Sequence, residues 1–344
     1  VLSVGSNNAR IASFILRTGA AEKVSVTTVT MGGRNAADTA NVALGTAFNN
    51  LYLSRNGVKA SDTRITNTAE GIETTHVFNL TPPLELSSNE AVVVDLMGDV
   101  VTGALFPAGV GGSLVRIAAA NGNAVNTGGA VAIAAVVNLR AVTLGVPTLT
   151  VAVDASMPTS AQHAAGEDPI VGAWRFSANA IEPIRVTQLR VSNTGVGAST
   201  DSILKDLKIF VGGVQTGSTI PVFDTSIASV AIFSGLNIVV PSGDAIVVTM
   251  KGTFNSHDAM PAGYSGQSVR AVVTVPAAIT GAAADAIIAK GDRSGVYAGT
   301  PAAAAFAGNL QYMYRGVYQL ALTSVGAPAR GANEVAGRIA LTAN

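Results

Sequence analysis

The feature that most constrains this chain is that much of it is written twice. "AAEKVSVTTVTM" (Ala20–Met31) lines up with "AIEPIRVTQLRV" (Ala180–Val191) at an offset of 160 residues. "FNNLYLSRNGV" (Phe48–Val58) matches "LKDLKIFVGGV" (Leu204–Val214) at 156, and "LELSSNEAVVVDLMG" (Leu84–Gly98) matches "IVVPSGDAIVVTMKG" (Ile238–Gly252) at 154. The dipeptides Val115-Arg116 and Val269-Arg270 keep the offset of 154. Matches in this order, with so small a drift, read as a duplicated domain whose loops have gained and lost a few residues.

Each block carries the physics of a strand. In "EAVVVDLMG", Val92, Val94 and Leu96 alternate with Val93 and Asp95, so one face points to a core. Ile246, Val248 and Met250 repeat that alternation. Asn56-Gly57 and Gly212-Gly213 fall at corresponding places between apolar runs, and both pairs tolerate the positive φ of a type I′ hairpin. The first block is less regular. Val24 and Val26 share one parity while Val29 and Met31 take the other, and Ile184, Val186, Leu189 and Val191 do the same. One extra residue returns all four to one face, which predicts β-bulges near Thr27-Thr28 and Thr187-Gln188. The alternative is a strand buried on both faces.

Val, Ala, Thr, Ser, Gly and Asn dominate, and no segment sustains helical spacing. The fold class is all-β. Short strands punctuated by Gly, Asn, Pro and Ser point to two tandem immunoglobulin-like β-sandwich domains, 1–145 and 146–316, followed by an extended C-terminal segment, 317–344. Each repeat exceeds the roughly 100 residues of a minimal sandwich. The excess lies in "ALFPAGVGGS" and "GAAADAIIAKGDRSGVYAGTPAAAAFAGN", read as long loops or extra edge strands, with a helical turn as an alternative for the Ala runs.

The C-terminal segment has a counterpart. "VYQLALTSVGAPARG" (Val317–Gly331) follows the pattern of "VPTLTVAVDASMPTS" (Val146–Ser160), each reaching a proline, Pro328 or Pro158. "AGRIALTAN" (Ala336–Asn344) resembles "VGAWRFSAN" (Val171–Asn179), and the opening "VLSVGSNNARIASFIL" reads as a shortened version of the same start. The expectation is a third copy of the opening strands. An isolated hairpin is marginal in water, so the segment belongs to a longer tandem array, folds back as an edge strand, or donates a strand to a neighbouring subunit. Donation is heterologous and propagates head to tail.

No catalytic, cofactor or metal constellation emerges. There is no cysteine, which excludes disulfides, thiolate metal sites and cysteine nucleophiles. His76, His163 and His257 lack metal-ligand spacing; His257-Asp258 is the one adjacent His–carboxylate pair. Asp95, Asp99, Asp285 and Asp292 are calcium candidates by residue type but sit outside any D-x-[DN]-x-[DN]-G loop, so they read as turn carboxylates. The "NLT" sequon at Asn79 precedes Pro82 within a strand. Phe14 and Trp174 correspond, as core residues do; Tyr312 and Tyr314 share a strand face and suit edge packing or an interface. "GVGGS" reads as a turn, not a phosphate loop. Lys+Arg and Asp+Glu are both 21, so no general attraction for nucleic acid or anionic lipid exists. The longest apolar run, "AVAIAAVV" (Ala130–Val137), is far below a membrane span. The opening residues carry no signal peptide and no initiating methionine, as in a processed or partly registered chain.

With "AAEKVSVTTVTM", "FNNLYLSRNG", "NEAVVVDLMG" and their second copies, the chain resembles the tandem immunoglobulin-like repeats of prokaryotic surface-layer or extracellular filament proteins. The resemblance implies export to the cell surface or beyond, self-assembly, and a mechanical or protective role. The expected function is thus a non-enzymatic extracellular structural protein, polymerising with itself and anchored through a glycan or the cell envelope. An adhesin stalk or carbohydrate-binding surface module is the alternative, and a viral capsid or tail part a second one.

Overall fold

The computed structural model describes every residue except 36, 67–74, 103–112, 134–135, 197–202, 225–228, 256–265, 315–317, 324–337 and 344, with backbone alone at 113–114 and across the strands within 318–343. The protein is all-β. Among the described residues the only helical element is a 3-10 turn, Leu44–Thr46. Two compact units emerge: Val1–Pro147 with Gly291–Val296, and Thr148–Lys290 with Tyr297–Asn344.

In unit 1, one sheet runs β2 (Ala9–Arg17), β8 (Ala91–Val100), β5 (Phe48–Arg55) and β6 (Val58–Lys59). In the other, β3 (Val24–Asn35) lies between β7 (His76–Leu86) and β9 (Ser113–Ala124). Short strands β4 (Asn41–Val42), β10 (Ala130–Ala132) and β11 (Val137–Asn138) extend its margins, and β1 (Leu2–Ser3) pairs in parallel with β12 (Leu144–Gly145).

Unit 2 repeats the order. β15 (Ile170–Ala178), β20 (Ala245–Phe254), β17 (Leu204–Val211) and β18 (Val214–Ile220) form the first sheet, with β13 (Leu149–Val153) added outside β15. In the second, β16 (Ile184–Asn193) lies between β19 (Val230–Val240) and β22 (Ala271–Val275). The Ala-rich stretch is strand, not helix: β23 (Ile287–Gly291) pairs β16 and β24 (Ala304–Ala307) pairs β22. Small ladders join β14 (Ala161–His163), β25 (Gln311–Met313) and β21 (Ser268–Val269), while β26 (Tyr318–Thr323) and β27 (Arg338–Ala343) pair with each other. The β3–β7 and β5–β8 pairings match B–E and C–F of an immunoglobulin sandwich, but the outer strands differ: β2 lies beside β8, and β9 beside β3.

The duplication extends to single residues. Phe14 faces Val94 across β2–β8, and Trp174 faces Val248 across β15–β20. Both I′ turns form, with φ of 50° and 78° at Asn56 and Gly57 and 57° and 82° at Gly212 and Gly213. Both bulges fall where parity requires them. The β3 register shifts between Val26 and Thr28, and the β16 register between Val186 and Gln188. Val26, Val29, Met31, Ile184, Val186, Leu189 and Val191 are consequently all buried. Strands buried on both faces are not needed, since Thr30 and Arg190 between them remain partly accessible.

Two further irregularities recur without having been expected. The registers of β2 and β15 shift between Arg10 and Ala12 and between Ile170 and Gly172. Those of β5 and β17 shift between Asn49 and Tyr52 and between Lys205 and Lys208, with Asn50 and Asp206 left-handed at φ 50° and 53°. The facing strand crosses that second bulge at Gly98 and Gly252. A Cβ there would come within 2.7 Å of Leu51 Cδ2 in unit 1 and of Leu204 Cδ2 in unit 2, so only glycine fits unshifted. Each core then closes between its two sheets. Phe14, Met31, Phe48, Leu53, Phe78 and Leu96 anchor unit 1; Trp174, Phe176, Leu189, Phe233, Met250 and Phe254 anchor unit 2.

Candidate interaction surface

Among the described residues no three His, Cys, Asp or Glu side chains cluster as metal ligands would. The polar residues singled out in the sequence are occupied individually. His163 on β14 has Nδ1 2.8 Å from Glu167 Oε2 and Nε2 2.8 Å from Gln311 Oε1, and its ring stacks on Phe254 at 4.9 Å. Buried Gln311 in turn donates from Nε2 to Thr159 O at 3.0 Å. This node fastens β14 to β25 and satisfies groups that would otherwise be costly to bury. His76 lies on β7 opposite Met31 and is buried; His257 and Asp258 lie outside the described residues.

The candidate calcium carboxylates do not converge. Asp95 Oδ1 accepts from Ser13 Oγ across β2–β8. Asp99 accepts from Asn8 N–H at 2.8 Å and Asn50 Nδ2 at 2.7 Å, tying down the left-handed residue of the β5 bulge. Asp285 accepts at Oδ2 from Thr280 N–H (2.8 Å), Thr280 Oγ1 (3.0 Å) and Gly281 N–H (2.8 Å). Burial opposes its ionised form, but these donors outweigh that and hold the carboxyl below its ordinary range. Asp292 has partners of its own. Asn79 is engaged by Asp62, donating from N–H at 2.9 Å and from Nδ2 at 3.0 Å. Trp174 is fully buried and donates from Nε1 to Phe306 O at 2.9 Å, so it is a core anchor. Tyr312 on β25 and Tyr314 just beyond it are half-buried.

What remains is a sheet edge. In unit 2, β13 covers β15, placing Leu149, Val151 and Val153 opposite Ala178, Phe176 and Trp174. In unit 1 the matching strand β2 has β8 as its only strand partner among the described residues. Thr18 N–H donates to Glu90 O on the β8 side, as Ala178 N–H does to Asp244 O. Alternation therefore turns the N–H groups of Ser13, Ile15 and Arg17 toward the open side. Two cavities follow that edge. One of about 700 Å³ is lined by Arg10, Ile11 and Ser13 of β2 with Arg140 and Val142. The other, of about 410 Å³ and largely apolar, is lined by Leu16, Thr18, Val24, Val26, Val131 and Ile133 among others. Sequence reading did not find this edge. Its signal was the contrast between "VLSVGSNN" and "TLTVAVDASM", because only the second supplies five residues of strand beside the following one.

No protein-family model matches the chain, and no curated protein does. Among solved structures, the chain is similar to the N-terminal domain of the Streptococcus gordonii adhesin Sgo0707, at 11% identity and TM-score 0.20. That match covers 82% of this chain and 56% of the other, so the chain spans little more than half of that neighbour's length. A fucolectin from striped bass (Morone saxatilis) serum is similar at 12% identity and TM-score 0.17, covering 73% of this chain and 85% of that one. At TM-scores this low, neither likeness bears on what this chain does.

Proposed function

We propose that this chain is a non-enzymatic, tandem β-sandwich segment of an extracellular or cell-surface protein, in which the sandwiches act as spacers of an adhesin-type stalk. The observation that carries this reading is the duplication itself. The two units share strand order, three recurrent bulges and one hairpin type, and among the described residues no three His, Cys, Asp or Glu side chains group as metal ligands would. Duplication that preserves scaffold and not side-chain chemistry is what a spacer requires. A low charged fraction, 12%, suits surfaces that pack against like surfaces with little repulsion. No helix among the described residues is long and apolar enough to cross a membrane.

Antibody labelling of intact cells of the source organism, with and without protease shaving, tests the location. Label on intact cells, removed by shaving, is the expected result; label that appears only after lysis overturns it. A glycan array separates the spacer from a carbohydrate-binding module, since a spacer leaves every glycan unbound. A second reading, assembly with copies of itself, is favoured by one observation: among the described residues the outer edge of β2 has no strand partner, and two cavities run along it.

A further inference from the structure

The open edge of β2 has a specific shape, and the chain carries a strand of matching pattern. In unit 2 the equivalent edge is filled by β13, in antiparallel register Leu149 to Ala178, Val151 to Phe176 and Val153 to Trp174. β26 pairs with β27 in the same manner, Tyr318 to Ala343, Leu320 to Leu341 and Leu322 to Ile339. Its sequence "YQLALT" alternates large apolar residues with small or polar ones, as "LTVAV" of β13 does. β27, β15 and β2 are thus three versions of one strand, and β13 and β26 two versions of the strand that lies beside it.

We propose that β26 of one copy of this chain fills the β2 edge of a second copy, replacing β27 by β2 at its side. The register follows from the two ladders already formed. Tyr318 comes to lie opposite Thr18, Leu320 opposite Leu16 and Leu322 opposite Phe14, while Ala321 comes opposite Ile15. The outward N–H groups of Ser13, Ile15 and Arg17 gain carbonyl partners, as the equivalent edge of β15 already has in Asn179 N–H to Thr148 O at 3.1 Å. Thr18, Leu16, Val24 and Val26 line the cavity beside that edge, where an added strand would extend the sheet. The β26–β27 ladder is traded for a β26–β2 ladder of the same antiparallel kind, so β26 keeps a full set of backbone partners. Donor and acceptor lie in different parts of the chain, so the contact is heterologous and adds copies one after another.

The proposal deepens the reading of a tandem scaffold by naming its partner, and its failure would leave the surface-labelling result untouched. The chain has no cysteine, so engineered thiols report without background. Ile15 is 61% exposed and points away from the core, which makes it a safe probe. Full-length Ile15→Cys and Ala321→Cys chains, one carrying a size tag, are mixed and mildly oxidised. The expected product is a mixed disulfide whose yield rises with concentration, because directly opposed residues in an antiparallel pair meet disulfide geometry. Pairing Ile15→Cys with Gln319→Cys, two residues out of register, lowers that yield roughly tenfold. The double variant, Ile15→Cys with Ala321→Cys, forms a ladder of covalent oligomers. Equal yields in and out of register, closure of the double variant only within one chain, or no cross-link at any concentration overturn the proposal. Sedimentation of the unmodified chain gives an independent reading. Its mean mass rises with concentration, and Leu320→Asp abolishes that rise; a chain that stays monomeric throughout contradicts the exchange.

Discussion

Units 1 and 2 are built from one plan and differ in two places, a sheet edge and an insertion. The strand that carries Phe14 in unit 1 and Trp174 in unit 2 takes the same partner on its inner side, in the same register, after the same bulge. On its outer side unit 2 adds β13, whereas in unit 1 the preceding strand β1 turns away to pair with β12. A second difference is an insertion. β9 runs as one strand along β3, but its counterpart in unit 2 is divided into β22 and β23, with the Thr280–Asp285 turn between them. The plan therefore depends on the inner pairings and bulges, while outer strands are free to be present, absent or interrupted. Sheet edges are where new partners join without disturbing a core.

The comparison is tested most sharply at the shared bulges. Deleting Thr27 or Thr187 leaves Val24, Val26, Val29 and Met31, or Ile184, Val186, Leu189 and Val191, in strict alternation, so all four keep one face. Each deletion should therefore leave its unit folded, with that unit's dispersed methyl resonances retained. Unfolding of the unit would show instead that both faces of the strand are buried, since the deletion would then turn over the second pair. The largest losses are expected at the paired anchors. Trp174→Ala removes a fully buried ring and its bond to Phe306 O, and should cost about 3–5 kcal/mol by denaturant unfolding. Phe14→Ala, beside the open edge, should fall at or below the low end of that range. Equal costs would mean that β13 contributes nothing to the packing of β15.

Smaller effects sharpen the match. Asn50 and Asp206 both hold left-handed backbone, so Asn50→Ala and Asp206→Ala should each cost about 1 kcal/mol while glycine is tolerated at both. A cost in one unit only would separate the two bulges. The smallest effect concerns Asp285, within the insertion of unit 2. Its folded carboxyl is held below the ordinary value, so the stabilisation it gives is present above about pH 4 and is lost as pH falls through the depressed folded value. An acid titration of unit 2 unfolding should lose this component in Asp285→Asn, with unit 1 unchanged.

Much of this plan was legible in the sequence, and the reason is local. A parity switch such as Val26 to Val29 is met by an extra residue or by burial of both faces, and Asn-Gly or Gly-Gly between strands leaves few turns to choose from. The bulge at Asn50 and Asp206 was harder to see. Its mark is a single Asn aligned with a single Asp, and its reason, the close crossing at Gly98 and Gly252, exists only once the strands have paired. The exchange of outer strands relative to an immunoglobulin sandwich was invisible for a related reason, since strand patterns record which face is buried and not which neighbour lies alongside. The open edge of β2 is likewise a property of pairing, so no residue in "ARIASFILR" announces it.

Amide hydrogen exchange on the full chain reads that edge directly. At low concentration the N–H groups of Ser13, Ile15 and Arg17 should exchange rapidly while those of Arg175 and Ser177, covered by β13, stay protected. At high concentration the β2 amides should become protected too, and Leu320→Asp should reverse that. Protection of Ser13, Ile15 and Arg17 in the dilute chain would show that unit 1 is already complete, and the exchange of strands between copies would have no place to occur.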